Sequence, residues 1–105
     1  MDNLTEITTT ELYKEIIQKH VIIVFTTEWC GDCHYLKTFI DEIVTENKDW
    51  QFVYIDRDKL LDLCIDLDIL GIPSFIAYDS GKEVGRFVSK LRKTKEEVQN
   101  FINSL

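Results

Sequence analysis

The chain is 105 residues long, with 12 Lys and Arg against 19 Asp and Glu and a formal net charge of −7. Acidity of this size argues against nucleic acid as a partner, because phosphate binding needs a basic surface, and it gives no help at an anionic membrane. No apolar run is long enough to cross a bilayer, and the first residues lack the basic and apolar regions of an export signal, so the cytoplasm is the expected location.

With hydrophobic residues at 45% and charged residues at 30%, the composition is that of an ordinary globular chain. The length suits one domain over 1–105, expected to act as a monomer. In chain order, Leu4 to Ile7 is a short candidate strand. Thr8 and Glu11 have the spacing of a capping box, followed by Leu12, Ile16 and Ile17 on one helical face. Val21 to Thr26 is a β-branched and aromatic run, as in a strand buried on both faces. After Glu28–Trp29–Cys30–Gly31–Asp32–Cys33, the residues Leu36, Phe39, Ile40, Ile43 and Val44 recur at helical spacing. Gln51 to Asp56 is a second strand. Asp58 is placed to cap a helix carrying Leu60, Leu61, Cys64 and Leu67, which Gly71–Ile72–Pro73 ends. Ser74 to Tyr78 is a third strand, turned at Asp79–Ser80–Gly81–Lys82 into an antiparallel neighbour over Glu83 to Val88. Thr94 and Glu97 form another capping box, and Val98, Phe101, Ile102 and Leu105 line a closing helix. Strands alternating with helices predict an α/β protein, with a largely parallel sheet covered on both faces and an antiparallel edge.

Three cysteines, an odd number, are not a disulfide framework. A strand, a short loop and Cys-x-x-Cys opening a helix is a chemically pointed arrangement. At a helix N-terminus the unpaired N–H groups and the helix dipole favour negative charge, and so favour a thiolate on Cys30. Cys30 is expected to attack a disulfide and Cys33 to resolve the mixed disulfide. No bound cofactor is expected.

Trp29–Cys30–Gly31–Asp32–Cys33 resembles the active-site signature of the thioredoxin family, WCGPC, with Asp32 in place of proline. Gly71–Ile72–Pro73–Ser74–Phe75 resembles the family's second hallmark, a loop facing the cysteines. The resemblance covers nearly the whole chain. It implies the thioredoxin fold, a central mixed sheet of four to five strands with helices on both faces. It implies a cis bond before Pro73, with Ile72 presenting its backbone to a bound peptide. It further implies that Trp29, Gly31 and Asp32 contact partners, that the substrates are protein disulfides, and that a thioredoxin-reductase-like flavoprotein supplies the electrons. Two departures stand out. A buried Asp that assists the second cysteine is replaced by Val24, and its lysine partner by Phe52. Losing both together avoids an orphaned buried charge but leaves Cys33 without that base. The glycine usual near Ser89 is also absent, which predicts a narrower groove.

Asp32 beside a thiolate disfavours the ionised sulfur, placing the expected reduction potential near or below about −270 mV. Its plainer role is to favour the helix N-terminus. Cys30, Cys33 and His34 also match Cys-x-x-Cys-His, the haem c attachment pattern, although the expected cytoplasmic location opposes it and His34 reads as a solvated helix residue. A zinc site from the pair, Cys64 and a histidine is formally available, but Cys64 reads as a buried small hydrophobe. The retained fold with little catalysis, a binding or scaffold module, is the remaining alternative. Asp62, Asp66 and Asp68 read as a solvated face, as does the basic run Lys90, Arg92, Lys93 and Lys95.

Overall fold

The computed structural model describes residue 1 and residues 3–105. In chain order its elements are β1 (Thr5–Glu6), α1 (Thr10–Ile16), β2 (Val21–Thr26), α2 (Gly31–Lys37), α3 (Ile40–Glu46), β3 (Gln51–Asp56), α4 (Leu61–Asp66), β4 (Ser74–Asp79), β5 (Lys82–Phe87) and α5 (Lys95–Asn103). The five strands form one sheet in the order β1-β3-β2-β4-β5. The mixed α/β architecture is the expected one, and its directions are more evenly mixed than the alternation predicts. β1 and β2 run parallel to β3, whereas β4 runs antiparallel to β2 and β5 antiparallel to β4. The antiparallel portion therefore starts beside the central strand.

β2 is buried along its whole length. Its side chains alternate between two cores, as the period of a strand requires. Ile22 and Val24 join Phe52, Phe75 and Ala77 against α2, α3 and α5, through Leu36, Phe39, Ile40, Ile43, Val98 and Ile102. Val21, Ile23 and Phe25 join Val53, Ile55 and Ile76 on the opposite face, against Tyr13 of α1 and Cys64 of α4. Fully burying a side chain such as Phe25 or Phe75 stabilises the fold by about 1.5–3 kcal/mol, and both are at 0% exposure.

The local structure departs from the sequence expectations at a few positions, each for a physical reason. The first helix is capped by Thr9, not Thr8: Thr9 Oγ1 accepts a hydrogen bond from the Leu12 N–H at 3.1 Å. The shift puts Glu11 in the first turn, where negative charge is favoured. It also turns Tyr13 inward, with its hydroxyl 2.6 Å from that of Tyr78, and leaves Leu12 exposed. The apolar pattern after the cysteines spans two helices rather than one. The Thr38 hydroxyl donates to the Tyr35 carbonyl at 2.7 Å, and the Thr38 and Phe39 N–H groups reach back only three residues, to Tyr35 and Leu36. The ladder tightens, Phe39 leaves helical geometry and α3 restarts at Ile40. The Thr94–Glu97 capping box forms with both of its bonds. The β4–β5 hairpin places Ser80 and Gly81 at positive φ, 54° and 89°, as a two-residue turn of its twist requires.

Candidate active site

α2 begins at the cysteine pair because β2 runs out at Thr26 and Cys30 supplies the helix cap. Cys30 is extended, with φ −81° and ψ 117°, and its sulfur accepts the Cys33 N–H at 3.2 Å. One of the unpaired N–H groups at the helix start is thus satisfied by the Cys30 sulfur. Both sulfurs are free thiols, Cys30 at 7% exposure and Cys33 at 0%. The Cys30 sulfur also lies 3.9 Å from the Ile72 carbonyl. The Ile72–Pro73 bond is cis. Ser74 Oγ donates to the Gly71 carbonyl at 2.5 Å and helps hold that loop.

Burial pushes the Cys33 thiol up to about 11, and its hydrogen bond with Cys30 pushes the same way. The neighbouring Thr26 hydroxyl, which donates to the Thr27 carbonyl at 3.4 Å, and the Thr27 backbone pull in the other direction. Val24 and Phe52 are both buried in the apolar core, so no charged pair lies beneath the cysteines at those positions. The polar side chain near Cys33 is instead Thr26, at the end of the same strand. Thr27 Oγ1 is buried beside it without a hydrogen-bond partner. Both threonines line a cavity of about 190 Å³ that also contains Asp56.

The other residues singled out from sequence surround the same point. Trp29 is 65% exposed, and its indole N–H donates to Asp58 Oδ2 at 2.6 Å. Asp58 is therefore not the cap of α4; Leu60 occupies that position without any side-chain bond. The Arg57 guanidinium stands over the Trp29 ring at 5.6 Å. Gly31 is exposed, and a Cβ placed on it would touch nothing, so the approach to Cys30 is open on that side. His34 is exposed, and its Nε2 bonds to the Glu28 carbonyl at 2.7 Å, which braces the loop before the pair. Cys64 is at 1% exposure with its thiol pushed up to about 11, chiefly by burial. Among the described residues no three His, Cys, Asp or Glu side chains gather as a metal site.

The basic run is where sequence reasoning misses most. Arg92 Nε donates to Asp32 Oδ1 at 2.9 Å, and its guanidinium lies 4.6 Å over the Tyr35 ring. Asp32 thus has a cationic partner from the loop before α5. Lys93 is not solvated but at 1% exposure. Its Nζ donates to the Ser89 and Leu91 carbonyls at 3.0 and 2.8 Å and sits 5.3 Å from the Phe87 ring centre. Two carbonyls and a ring face make burial of this ammonium tolerable. Burial draws its pKa below the usual lysine value, and Asp32 and then Cys33 draw it back. No periodicity marks these residues, because only the folded loop brings them to the cysteines.

A family model described as Thioredoxin matches residues 4–104. A thioredoxin of Gallus gallus is 32% identical over 88 residues, covering 84% of this chain and 81% of that one. A thioredoxin of Mycoplasmoides gallisepticum is 30% identical over 77 residues, covering 73% of this chain and 77% of that one. Among solved structures, mitochondrial thioredoxin 3 from Saccharomyces cerevisiae in its oxidized form has a TM-score of 0.86 at 20% identity, covering 99% of this chain and 97% of that one. That last likeness speaks for the fold alone.

Proposed function

The chain belongs to the thioredoxin family, whose members support a thiol–disulfide oxidoreductase role, and from that premise we propose that it reduces disulfides in partner proteins. The observation that carries this reading is the position of Cys30: a nearly buried sulfur at a helix N-terminus, accepting the Cys33 N–H and facing the Ile72 backbone. The Cys30 thiolate attacks one sulfur of the substrate disulfide, and the other substrate sulfur leaves as a thiolate that takes a proton from water. Cys33 then gives up its proton to water, and its thiolate attacks the Cys30 sulfur. The second substrate thiolate leaves and the Cys30–Cys33 bond closes. Two electrons pass from protein to substrate. Resetting the pair needs a dithiol or flavoprotein donor, and a thioredoxin-reductase-like enzyme is the class we propose. We place the protein in the cytoplasm as a monomer, with residues 1–105 acting as one domain.

Trp29, Gly31 and Asp32, beside the cysteines in sequence, and Ile72 and Pro73, on the loop whose Ile72 carbonyl lies 3.9 Å from the Cys30 sulfur, are the residues we assign to partner contact. Cys33 stays protonated until late, since burial holds its thiol near 11. The scaffold reading draws on Val24 and Phe52, which supply no base beneath that thiol. Insulin reduction with dithiothreitol separates the two readings. The wild-type protein accelerates precipitation of the insulin B chain, and Cys30→Ser abolishes the acceleration. Equal rates for the two proteins would overturn the assignment of catalysis to Cys30.

A further inference from the structure

Beside the Cys30 sulfur lies an open cavity of about 290 Å³, lined by Trp29, Cys30, Arg57, Leu70, Ile72 and Lys90 and the Gly71 backbone, with no carboxylate in its wall among the described residues. Its apolar rim is conspicuous, with Trp29 at 65% exposure, Leu70 at 71% and neighbouring Leu91 at 74%. Its charged members are both cations. Arg57 stands over the Trp29 ring with its Nε buried, and its ion pairing is weak: the Asp58 oxygen beside it is 4.0 Å away, and Asp58 already accepts the Trp29 indole N–H. Lys90 is exposed and forms no ion pair among the described residues. The other cation of that loop, Arg92, is occupied by Asp32.

From this juxtaposition we propose that the cavity selects protein disulfides flanked by acidic side chains, seating a carboxylate between Arg57 and Lys90 and an apolar neighbour on Trp29 and Leu70. The inference rests on the disulfide-reductase reading and names its substrate class. The net charge of −7 opposes an acidic partner at long range. At physiological ionic strength that repulsion is screened beyond about 8 Å, whereas a carboxylate in the cavity meets both cations at contact distance. The local charge therefore decides the preference.

The test uses pre-reduced full-length protein as a stoichiometric reductant, so that no electron donor enters. Three peptides with one disulfide each differ only in the residues flanking one cysteine, which are Glu, Gln or Lys. At about 0.15 M salt the Glu peptide is expected to react roughly tenfold faster than the Lys peptide, a difference of about 1.4 kcal/mol. Lys90→Gln and Arg57→Gln each reduce that ratio by about two- to threefold, the range of one exposed ion pair. Lys48→Gln, the same charge change on a distant exposed turn, leaves the ratio as it was. Lys90 has no side-chain partner to disturb, so its variant is informative even if Arg57→Gln loosens the Trp29 loop. Equal rates for all three peptides would overturn the charge selection and leave the reductase reading standing. Failure to reduce any of the peptides would overturn both.

Discussion

Asp32 shows how one residue's effect depends on a neighbour that sequence spacing does not reveal. Alone, a carboxylate next to the pair disfavours a thiolate and so disfavours the reduced form. The Arg92 guanidinium at 2.9 Å offsets much of that charge. Both side chains are partly exposed, so their pairing is worth only about 0.2–1 kcal/mol to the fold, as is usual for surface pairs. Arg92→Gln is expected to lower the reduction potential of the Cys30–Cys33 pair, because Asp32 is then left uncompensated, and Asp32→Asn to raise it. Equilibration in dithiothreitol buffers with Trp29 fluorescence measures both. A shift of the same sign in the two variants would show that the pair acts by holding the loop, not through its charge. Cys30, Cys33 and Pro73 were legible as site residues because their types are rare and their spacing is specific. Thr26, Arg57, Arg92 and Lys93 were not, because each is an ordinary polar residue until the fold brings it to the sulfurs. Lys93 is the sharpest case: in a basic run it reads as solvated, and its burial depends on two carbonyls and a ring supplied by its own loop.

At the scale of elements, the site is a meeting of loops held by helix and strand ends. The loop before β4 and the loop after β5 touch through their backbones at Gly71. A Cβ there would lie 2.2 Å from the Ser89 carbonyl oxygen and 2.7 Å from Lys90 Cα, and neither is the end of a flexible side chain. The chain facing Ser89 thus has no side chain at Gly71, which lets the two loops approach closely. Gly71→Ala must push them apart. It is expected to destabilise the fold by about 1–3 kcal/mol, the usual cost of overpacking. Peptide-disulfide reduction should fall in the same variant, because Ile72 moves away from the Cys30 sulfur. Urea unfolding and single-turnover reduction check the two effects; a variant normal in both would show that the loops accommodate the methyl group. Element types were readable from apolar periodicity and cap residues, as at Thr94 and Glu97. The break at Thr38 and Phe39 was not, because Leu36, Phe39, Ile40 and Ile43 keep helical spacing across it, while the hydroxyl that loosens the ladder leaves no periodic trace. Nor does alternation of strands and helices reveal that β4 inserts antiparallel beside β2.

Over the whole molecule, the same burial that protects the sulfurs links folding to pH. Cys33 and Cys64 are both held up from 9.0 to about 11, with burial the leading cause in each. The folded chain therefore binds these protons more tightly than the unfolded chain. Between pH 9 and 11 the unfolded state loses them while the folded state retains them, so unfolding releases protons and stability falls as pH rises through that window. Below it both states are protonated and the full stability is present. Each thiol contributes on the order of 1–3 kcal/mol by the top of the window, a large part of the 5–15 kcal/mol that holds a domain together. Tyr78, also raised chiefly by burial, adds to the decline at higher pH. The reduced protein is thus expected to keep a constant urea midpoint from about pH 7 to 8.5 and to lose it steadily above about pH 9. Closing the Cys30–Cys33 bond removes the Cys33 proton from the balance, so the oxidised protein should decline less steeply. Cys64→Ala should start from a lower midpoint, because of the cavity it creates, but follow a shallower slope. Those two differences isolate the thiols from every other group that titrates at alkaline pH. If the reduced and oxidised curves stayed parallel to pH 10.5, Cys33 would carry no such linkage.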